Sequence, residues 1–317
     1  MDHLQFDVNR TLRAIIAHKL NRRKQSLGPL RRPDHDLSHE ENTMNNPNPG
    51  RVVARTMTAV YPELSGKVAV VTGAAQGMGS VFAKGLAARG VHVVGADIND
   101  ARMKETAEQL NTELATDSLV EQPGTIIGAR ADVTVADDHE ALARTALAEF
   151  GRIDFWINNA GIFPFAYAAD ITPEQIGATL SVNVEGVLFG SQAAGRHMRE
   201  GGAIVNMSSV SALRVRKGRG AYCTSKAAVA HLTESLAVEF GDVGIRVNSI
   251  APGYIDTEMT RWVQEDPEAL AKALDSVPLH RLGAPEEVFG PLLFLLSDSA
   301  RYVTGHSIAV DGGSRHV

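Results

Sequence analysis

Tyr222 and Lys226 stand four residues apart in the stretch Gly220 to Leu236, GAYCTSKAAVAHLTESL, which reads as a long helix. Residues at that spacing share a helix face, so a phenol and an ammonium can point at one spot. A neighbouring cation favours the phenolate and draws a tyrosine pKa down from about 10. A tyrosine tuned this way can exchange a proton with an alcohol oxygen near neutral pH. Taken alone, the pair equally describes an exposed Tyr and Lys on a solvated helix.

A second constellation lies far upstream. Gly73, Gly77 and Gly79 form GxxxGxG within TGAAQGMG, between an apolar run and a helical pattern. Glycines at such a turn let backbone approach a pyrophosphate at a helix N-terminus. Asp97 ends the next apolar run, about twenty residues further on, as a carboxylate that binds ribose hydroxyls must. The same carboxylate repels a 2′-phosphate, and no Arg or Lys stands at Gln76, Ile98 or Asn99 to attract one. NAD is therefore expected over NADP.

These groups need elements to hold them. KVAVVTG, VHVVGAD, TIIGARADV, RIDFWINNAG, GAIVNMSS, IRVNSIAP and HSIAVDGG read as seven short strands rich in β-branched residues. Between the early ones lie helical patterns: AAQGMGSVFAKGLAARG, NDARMKETAEQLNTEL and VADDHEALARTALAEFG. TPEQIGATLSVNVEGVLFGSQAAGRHMRE reads as one long helix. Strict strand–helix alternation requires right-handed crossovers and a parallel sheet covered on both faces. A single α/β domain over residues 61–317 is expected.

Residues 1–60 differ in character. They hold ten Lys/Arg against six Asp/Glu, although the whole chain carries a net charge of −6. Leu12, Ile15, Ile16 and Leu20 sit at helical spacing ahead of Arg22, Arg23 and Lys24, and a polar, proline-dotted stretch follows. This composition predicts a basic, largely disordered extension, dispensable for the catalytic domain. Basic amphipathic helices also serve membrane surfaces and organelle targeting, but Asp2 and Asp7 argue against a transit peptide. A natural start at Met44 or Met57 would remove most of the segment. The global charge gives no reason to expect nucleic acid, and no apolar run approaches the roughly 20 residues of a membrane span. Cys223 is the only cysteine, which excludes an intramolecular disulfide and makes a reducing cytoplasm the default; it is expected as a small buried filler rather than a redox thiol. His231 and His280 lack metal-ligand partners at useful spacing, so no metal is expected.

TGAAQGMG, Asp97, Asp132-Val133, NNAG at Asn158–Gly161, Asn183, Ser209, Tyr222-x3-Lys226 and Pro252-Gly253 fall in a particular order and spacing. In that ordered set the chain resembles the short-chain dehydrogenase/reductases, from Leu64 to Ser314. The resemblance implies a doubly wound Rossmann fold and an oxidoreductase that interconverts a secondary alcohol and its ketone by hydride transfer. It also implies a homo-oligomer, tetramer or dimer. Tyr222 becomes the acid/base. Ser209, thirteen residues before it, holds the reacting oxygen in preference to Ser208. Lys226 binds the nicotinamide ribose and lowers the tyrosine pKa. Asn183 resembles a helix-kinking asparagine that positions a water in a proton relay; a buried Asn satisfied by local backbone is the other reading. The cofactor contacts implied are Gly73, Gln76, Gly77, Met78, Gly79, Asp97 and Ile98. Asp132 and Val133 join them at the adenine edge, then Asn159, Ala160 and Gly161, and Pro252, Gly253, Ile255 and Thr257 near the carboxamide.

The substrate is less legible. IFPFAYAAD, SALRVRKGRGA and the lid YIDTEMTRWVQEDPEALAKALDS should line the pocket, offering Phe163, Phe165, Leu213, Met259 and Trp262 to a hydrophobic, steroid-like alcohol. Arg214, Arg216, Lys217 and Arg219 form a basic cluster before Tyr222. Such a run is ordinarily a solvated rim or a subunit contact; recognition of a carboxylate, a phosphate or an acyl carrier is the alternative. A 3-oxoacyl-thioester reductase is the rival enzyme, and a dinucleotide-sensing scaffold the rival outside enzymes. The scaffold reading sits poorly with the complete set Asn183, Ser209, Tyr222 and Lys226.

Overall fold

The computed structural model describes residues 61–198 and 200–317, so the expectation for residues 1–60 lies outside the described residues. In chain order the elements are β1 (Val68–Thr72), α1 (Gly77–Ala87), β2 (His92–Asp97), α2 (Asp100–Thr116), β3 (Ile126–Arg130), α3 (Ala136–Phe150) and β4 (Phe155–Asn158). There follow α4 (Pro173–Leu180), α5 (Gly186–His197), β5 (Gly202–Met207), α6 (Gly220–Gly241) and β6 (Ile245–Pro252). Two short lid helices come next, α7 (Arg261–Gln264) and α8 (Pro267–Asp275), and then α9 (Pro285–Leu296) and β7 (Ser307–Val310).

All seven strands pair in parallel in the order β3-β2-β1-β4-β5-β6-β7. Side chains alternate across the pleat, and the two faces bury different halves of each strand. Ala69, Val71 and Val93 face Phe82 and Leu86 of α1, Met103 of α2 and Phe289 of α9. Val68, Val70 and Val94 face Leu142 of α3, Ala193 of α5 and Leu236 of α6. Every residue of β1 is buried, which is why its sequence is a continuous apolar run rather than an alternating one. The chain thus forms a doubly wound α/β fold.

The direction of winding reverses between β1 and β4, which lie side by side with Ala69 opposite Phe155. Neither crossover covers the carboxyl ends of these strands, and a crevice opens beyond Thr72 and Asn158. Asn159 closes its floor. Its side chain donates to the carbonyls of Thr72 (2.9 Å) and Gly73 (3.1 Å), and its backbone N–H donates to Thr72 Oγ1 (3.0 Å).

Four elements depart from the expectation. The long helix over 172–200 is broken into α4 and α5 by a π-helical turn, Ser181–Glu185, centred on Asn183. Such single wide turns often mark functional positions. Helix α9, whose near-continuous apolar sequence has no clear face, is absent from the expected set. It lies against α1, where a Cβ on Gly85 would stand 2.4 Å from the Phe289 ring. Both lid helices are also new. Pro267 with Asp266 as N-cap starts the second, the Asp266 carboxylate accepting the N–H groups of Glu268 (2.9 Å) and Ala269 (3.2 Å).

Candidate active site

The glycine turn is shaped by two left-handed residues, Gly73 (φ 65°) and Gly77 (φ 58°), a region that penalises any Cβ. Gly79 has a different task from the contact expected of it. It does not line the crevice; a Cβ there would lie 2.1 Å from the Gly73 carbonyl oxygen, so its absence lets α1 pack under the turn. No side chain caps α1, which leaves first-turn N–H groups for an anion. Asp97 is held by backbone: Oδ1 accepts from Asn99 N–H (3.0 Å) and Oδ2 from Ala75 N–H (3.4 Å). A cavity runs from there past Gln76, Met78, Ile98, Asp132, Val133, Ala160 and Gly161 to Thr257. Its lining includes the carboxylates of Asp97, Asp132 and Glu258 and no Lys or Arg. Asp132 is firmly ionised, because hydrogen bonds from Thr134 hold its carboxyl below the usual range. A dinucleotide fits this surface: a Cβ-free turn for the pyrophosphate and a fixed carboxylate for ribose hydroxyls.

The second cavity adjoins the first through Met78, Asn159, Gly161, Thr257 and Met259, and it contains Ser209, Tyr222, Lys226, Pro252, Gly253 and Ile255. Ser208 and Ser209 follow β5, and the structure separates their roles. Ser208 Oγ is buried and donates to the Lys226 carbonyl of α6 (3.0 Å). Ser209 Oγ accepts from Ser211 N–H (3.1 Å), and its hydroxyl lies on the Tyr222 side, where it favours the charged phenol. Lys226 is 4% exposed; its ammonium donates to the Met207 carbonyl (2.8 Å) and lies 5.7 Å from the Tyr222 ring centre.

One expectation about this pair is corrected. Burial pushes the Tyr222 phenol up, and what opposes that rise is the Ser209 hydrogen bond, then the charge of Arg219, rather than Lys226. The Lys226 ammonium is itself lowered to about 8 by burial. Being out of water weakens a cation's hold on its own proton, and its hydrogen bond is directed to a carbonyl instead of the phenol.

Asn183 is fully buried. Its Oδ1 accepts from Ile162 N–H (2.8 Å), while its Nδ2 donates to Ile162 O (3.0 Å) and Ser225 Oγ (3.0 Å). The side chain is thus satisfied by the backbone that follows β4 and by a hydroxyl of α6, both distant in sequence, and it also marks the widened turn. A Cβ on Gly161 would come 3.2 Å from Asn183 Oδ1 and 3.5 Å from Lys226 Nζ, so both groups flank that glycine.

Of the side chains expected around the substrate, Phe163, Met259 and Trp262 line the second cavity. Phe163 meets the Tyr222 ring edge-on at 4.8 Å and stacks parallel to Trp262. Leu213 and Phe165 do not line it and are exposed. Arg214, Arg216 and Arg219 do line it, against the expectation of a solvated rim; Lys217 alone points to solvent. Tyr254 was missed by the sequence reading. Its hydroxyl accepts from Arg216 and Arg219 (3.2 Å to the latter), and its place directly after Pro252-Gly253 is the signal that could have found it.

Comparison with known proteins agrees with this geometry. The family model described as Enoyl-(Acyl carrier protein) reductase matches residues 73–315. An L-rhamnose 1-dehydrogenase (NAD(P)(+)) of Azotobacter vinelandii is 39% identical over 250 residues, 78% of this chain and 96% of that protein. A 2-dehydro-3-deoxy-D-gluconate 5-dehydrogenase of Escherichia coli is 37% identical over 258 residues, 79% of this chain and 96% of that one. A crystal structure of a short-chain type dehydrogenase/reductase from Mycobacterium marinum superposes with a TM-score of 0.73 at 35% identity, covering 80% of this chain and 97% of that one. Taken with the fold and the paired cavities, these likenesses show that the chain belongs to the short-chain dehydrogenase/reductase family and is an NAD(P)-dependent oxidoreductase.

Proposed function

We propose that the chain interconverts a secondary alcohol and its ketone, with NAD as the preferred cofactor and Tyr222 as the acid/base. The observation that carries the reading is the junction of the two cavities, where the glycine turn and the Tyr222 phenol face one continuous space. A nicotinamide dinucleotide held with its pyrophosphate at the glycine turn would supply the hydride acceptor for the carbinol carbon. The chain's residues do the rest. Tyr222 Oη takes the hydroxyl proton as the C–H bond breaks, and returns it in the reverse direction. Ser209, oriented by the Ser211 N–H, holds the reacting oxygen beside the phenol. Lys226 supplies a buried cation in the same cavity, which Phe163 and Trp262 also line.

The preference for NAD rests on charge. Asp97 would face a 2′-phosphate with no Lys or Arg in the lining to offset it, and like charges brought together are costly. Oxidation of a panel of secondary alcohols, followed at 340 nm with NAD and then with NADP, tests both parts. Turnover with NAD well above that with NADP is the expected result. Binding of NADH without oxidation of any alcohol in the panel would remove the dehydrogenase reading.

A further inference from the structure

The loop from Ser211 to Arg219 places its side chains against the usual sense of burial. Leu213 and Val215 are 57% and 83% exposed, while Arg214, Arg216 and Arg219 turn into the wall of the cavity that holds Tyr222. Left to the hydrophobic effect alone, aliphatic side chains would turn in and guanidiniums out. The arrangement is anchored rather than loose. Arg219 forms a parallel bridge to Ala166, and Gly218 O accepts the Ala166 N–H (3.0 Å).

What surrounds the three guanidiniums holds them without neutralising them. Arg214 Nη1 donates to Ser314 O (2.6 Å). Arg216 donates to the Tyr254 hydroxyl and to Ser276 Oγ (3.2 Å), and Arg219 to the same Tyr254 hydroxyl. Aromatic faces fix their planes: Arg216 lies 4.6 Å from the Tyr254 ring centre, and Arg219 lies 5.2 Å from Phe163 and 5.7 Å from Trp262. Among the described residues none of the three has a carboxylate partner, whereas Arg152, Arg196 and Arg281 elsewhere all do. Each guanidinium carries five N–H donors, so most of the donors are uncommitted. Burial and the charges of Arg214 and Arg219 both press on Arg216, lowering its proton affinity.

We propose that the substrate carries its own oxyanion, a carboxylate, sulfonate or phosphate, bound by Arg216 and Arg219 in the cavity that presents Tyr222 to its hydroxyl. The inference rests on reading that cavity as the dehydrogenase site, and it narrows the substrate to a small hydroxy acid or its oxo counterpart. Planar forked donors with fixed orientation suit a bidentate oxyanion. An acyl-carrier thioester fits less well, because the thioester is neutral and its carrier's charges would lie outside the cavity. The oxyanion takes no part in bond making; it sets which hydroxyl reaches Tyr222.

The test needs a binding readout separate from turnover. Trp262 lines the cavity and Trp156 is wholly buried, so tryptophan fluorescence of the NADH-loaded protein reports occupancy. Titration with butyrate, propanesulfonate and inorganic phosphate, against butyramide, should show at least one anion binding about tenfold or more tighter than the amide. Arg216→Gln and Arg219→Gln should each lose about tenfold of that anion affinity, with butyramide binding and NADH affinity within about threefold of wild type. Retained NADH affinity certifies folding, and Arg216→Lys should recover part of the loss. Equal binding of amide and anions, no saturable response to any of the three anions, or arginine variants that lose amide and anion affinity alike would overturn the proposal. A chain that shows the anion pattern yet oxidises no alcohol keeps this inference and loses the dehydrogenase reading. Oxidation of neutral alcohols with no anion preference does the reverse.

Discussion

Arg219 and Tyr222 stand three residues apart at the start of α6, and the guanidinium of the first favours the phenolate of the second. The ammonium of Lys226, one helical turn further on, is directed to Met207 O instead. Two groups therefore oppose the burial that drives the phenol upward, the Ser209 hydroxyl and Arg219. In the proposed mechanism alcohol oxidation requires the phenolate, so its kcat/KM should rise with pH. Ser209→Ala and Arg219→Gln should each move that rise to higher pH, because each removes a group that favours the charged form. A pH–rate profile with a neutral alcohol is the check; an unmoved profile in both variants would refute the assignment.

Tyr222→Phe should lower kcat by about 10²- to 10⁴-fold, the usual loss of a general acid/base. NADH affinity should stay within a few-fold of wild type, since the glycine turn and Asp97 are untouched. Stopped-flow turnover and NADH fluorescence titration on one preparation separate the two effects. Substantial activity in the variant would mean that another group moves the proton.

Asp97→Ala should raise the NADP/NAD ratio of kcat/KM by about tenfold or more, because it removes a carboxylate facing the 2′-phosphate position. Comparable kcat/KM for the two cofactors in the wild-type protein would contradict the preference. Part of any loss with NAD will come from the turn itself, as the N–H groups of Ala75 and Asn99 lose their acceptor.

Lys226→Met should stabilise the cofactor-free protein near pH 7 while damaging NADH binding. A fall from 10.5 to about 8 on folding corresponds to about 3 kcal/mol of destabilisation, of which the lost hydrogen bond to Met207 O returns about 1. Below pH 8 the lysine is protonated in both folded and unfolded chains, and the full cost is present. Between pH 8 and 10.5 the folded protein releases that proton while the unfolded chain keeps it, so the wild type gains on the variant as pH rises. Denaturant unfolding of both proteins at pH 7 and pH 10 measures this. A variant that is less stable at pH 7, or an advantage that grows with pH, would show that the lysine is not held against its desolvation.

The amino-acid sequence by itself determined the parallel sheet, the alternation of its early strands and helices and the chemical inventory at its carboxyl edge. Apolar runs such as VAVVT and helical spacing such as Phe82–Leu86 are local signals, readable because β1 is buried on both faces and α1 packs one apolar face against it. The glycine turn was legible for a similar reason: a left-handed φ at Gly73 and Gly77 is a demand on single residues. What only the tertiary structure decided depends on partners distant in sequence. Spacing already favoured Ser209 over Ser208, but only the fold shows why Ser208 is committed elsewhere: its hydroxyl is held by the backbone of α6. Helix α9 has too uniform an apolar sequence to show a face, and it is defined by Phe289 meeting α1. Arg214 and Arg216 turn inward while Leu213 and Val215 turn outward, because Tyr254, Ser276 and Ser314 supply acceptors and stacking surface that no local pattern announces. The sense of the Tyr222 shift followed the same logic. Spacing placed a cation on the tyrosine's face of the helix, but burial and the hydrogen bond to Met207 O determined what that cation does.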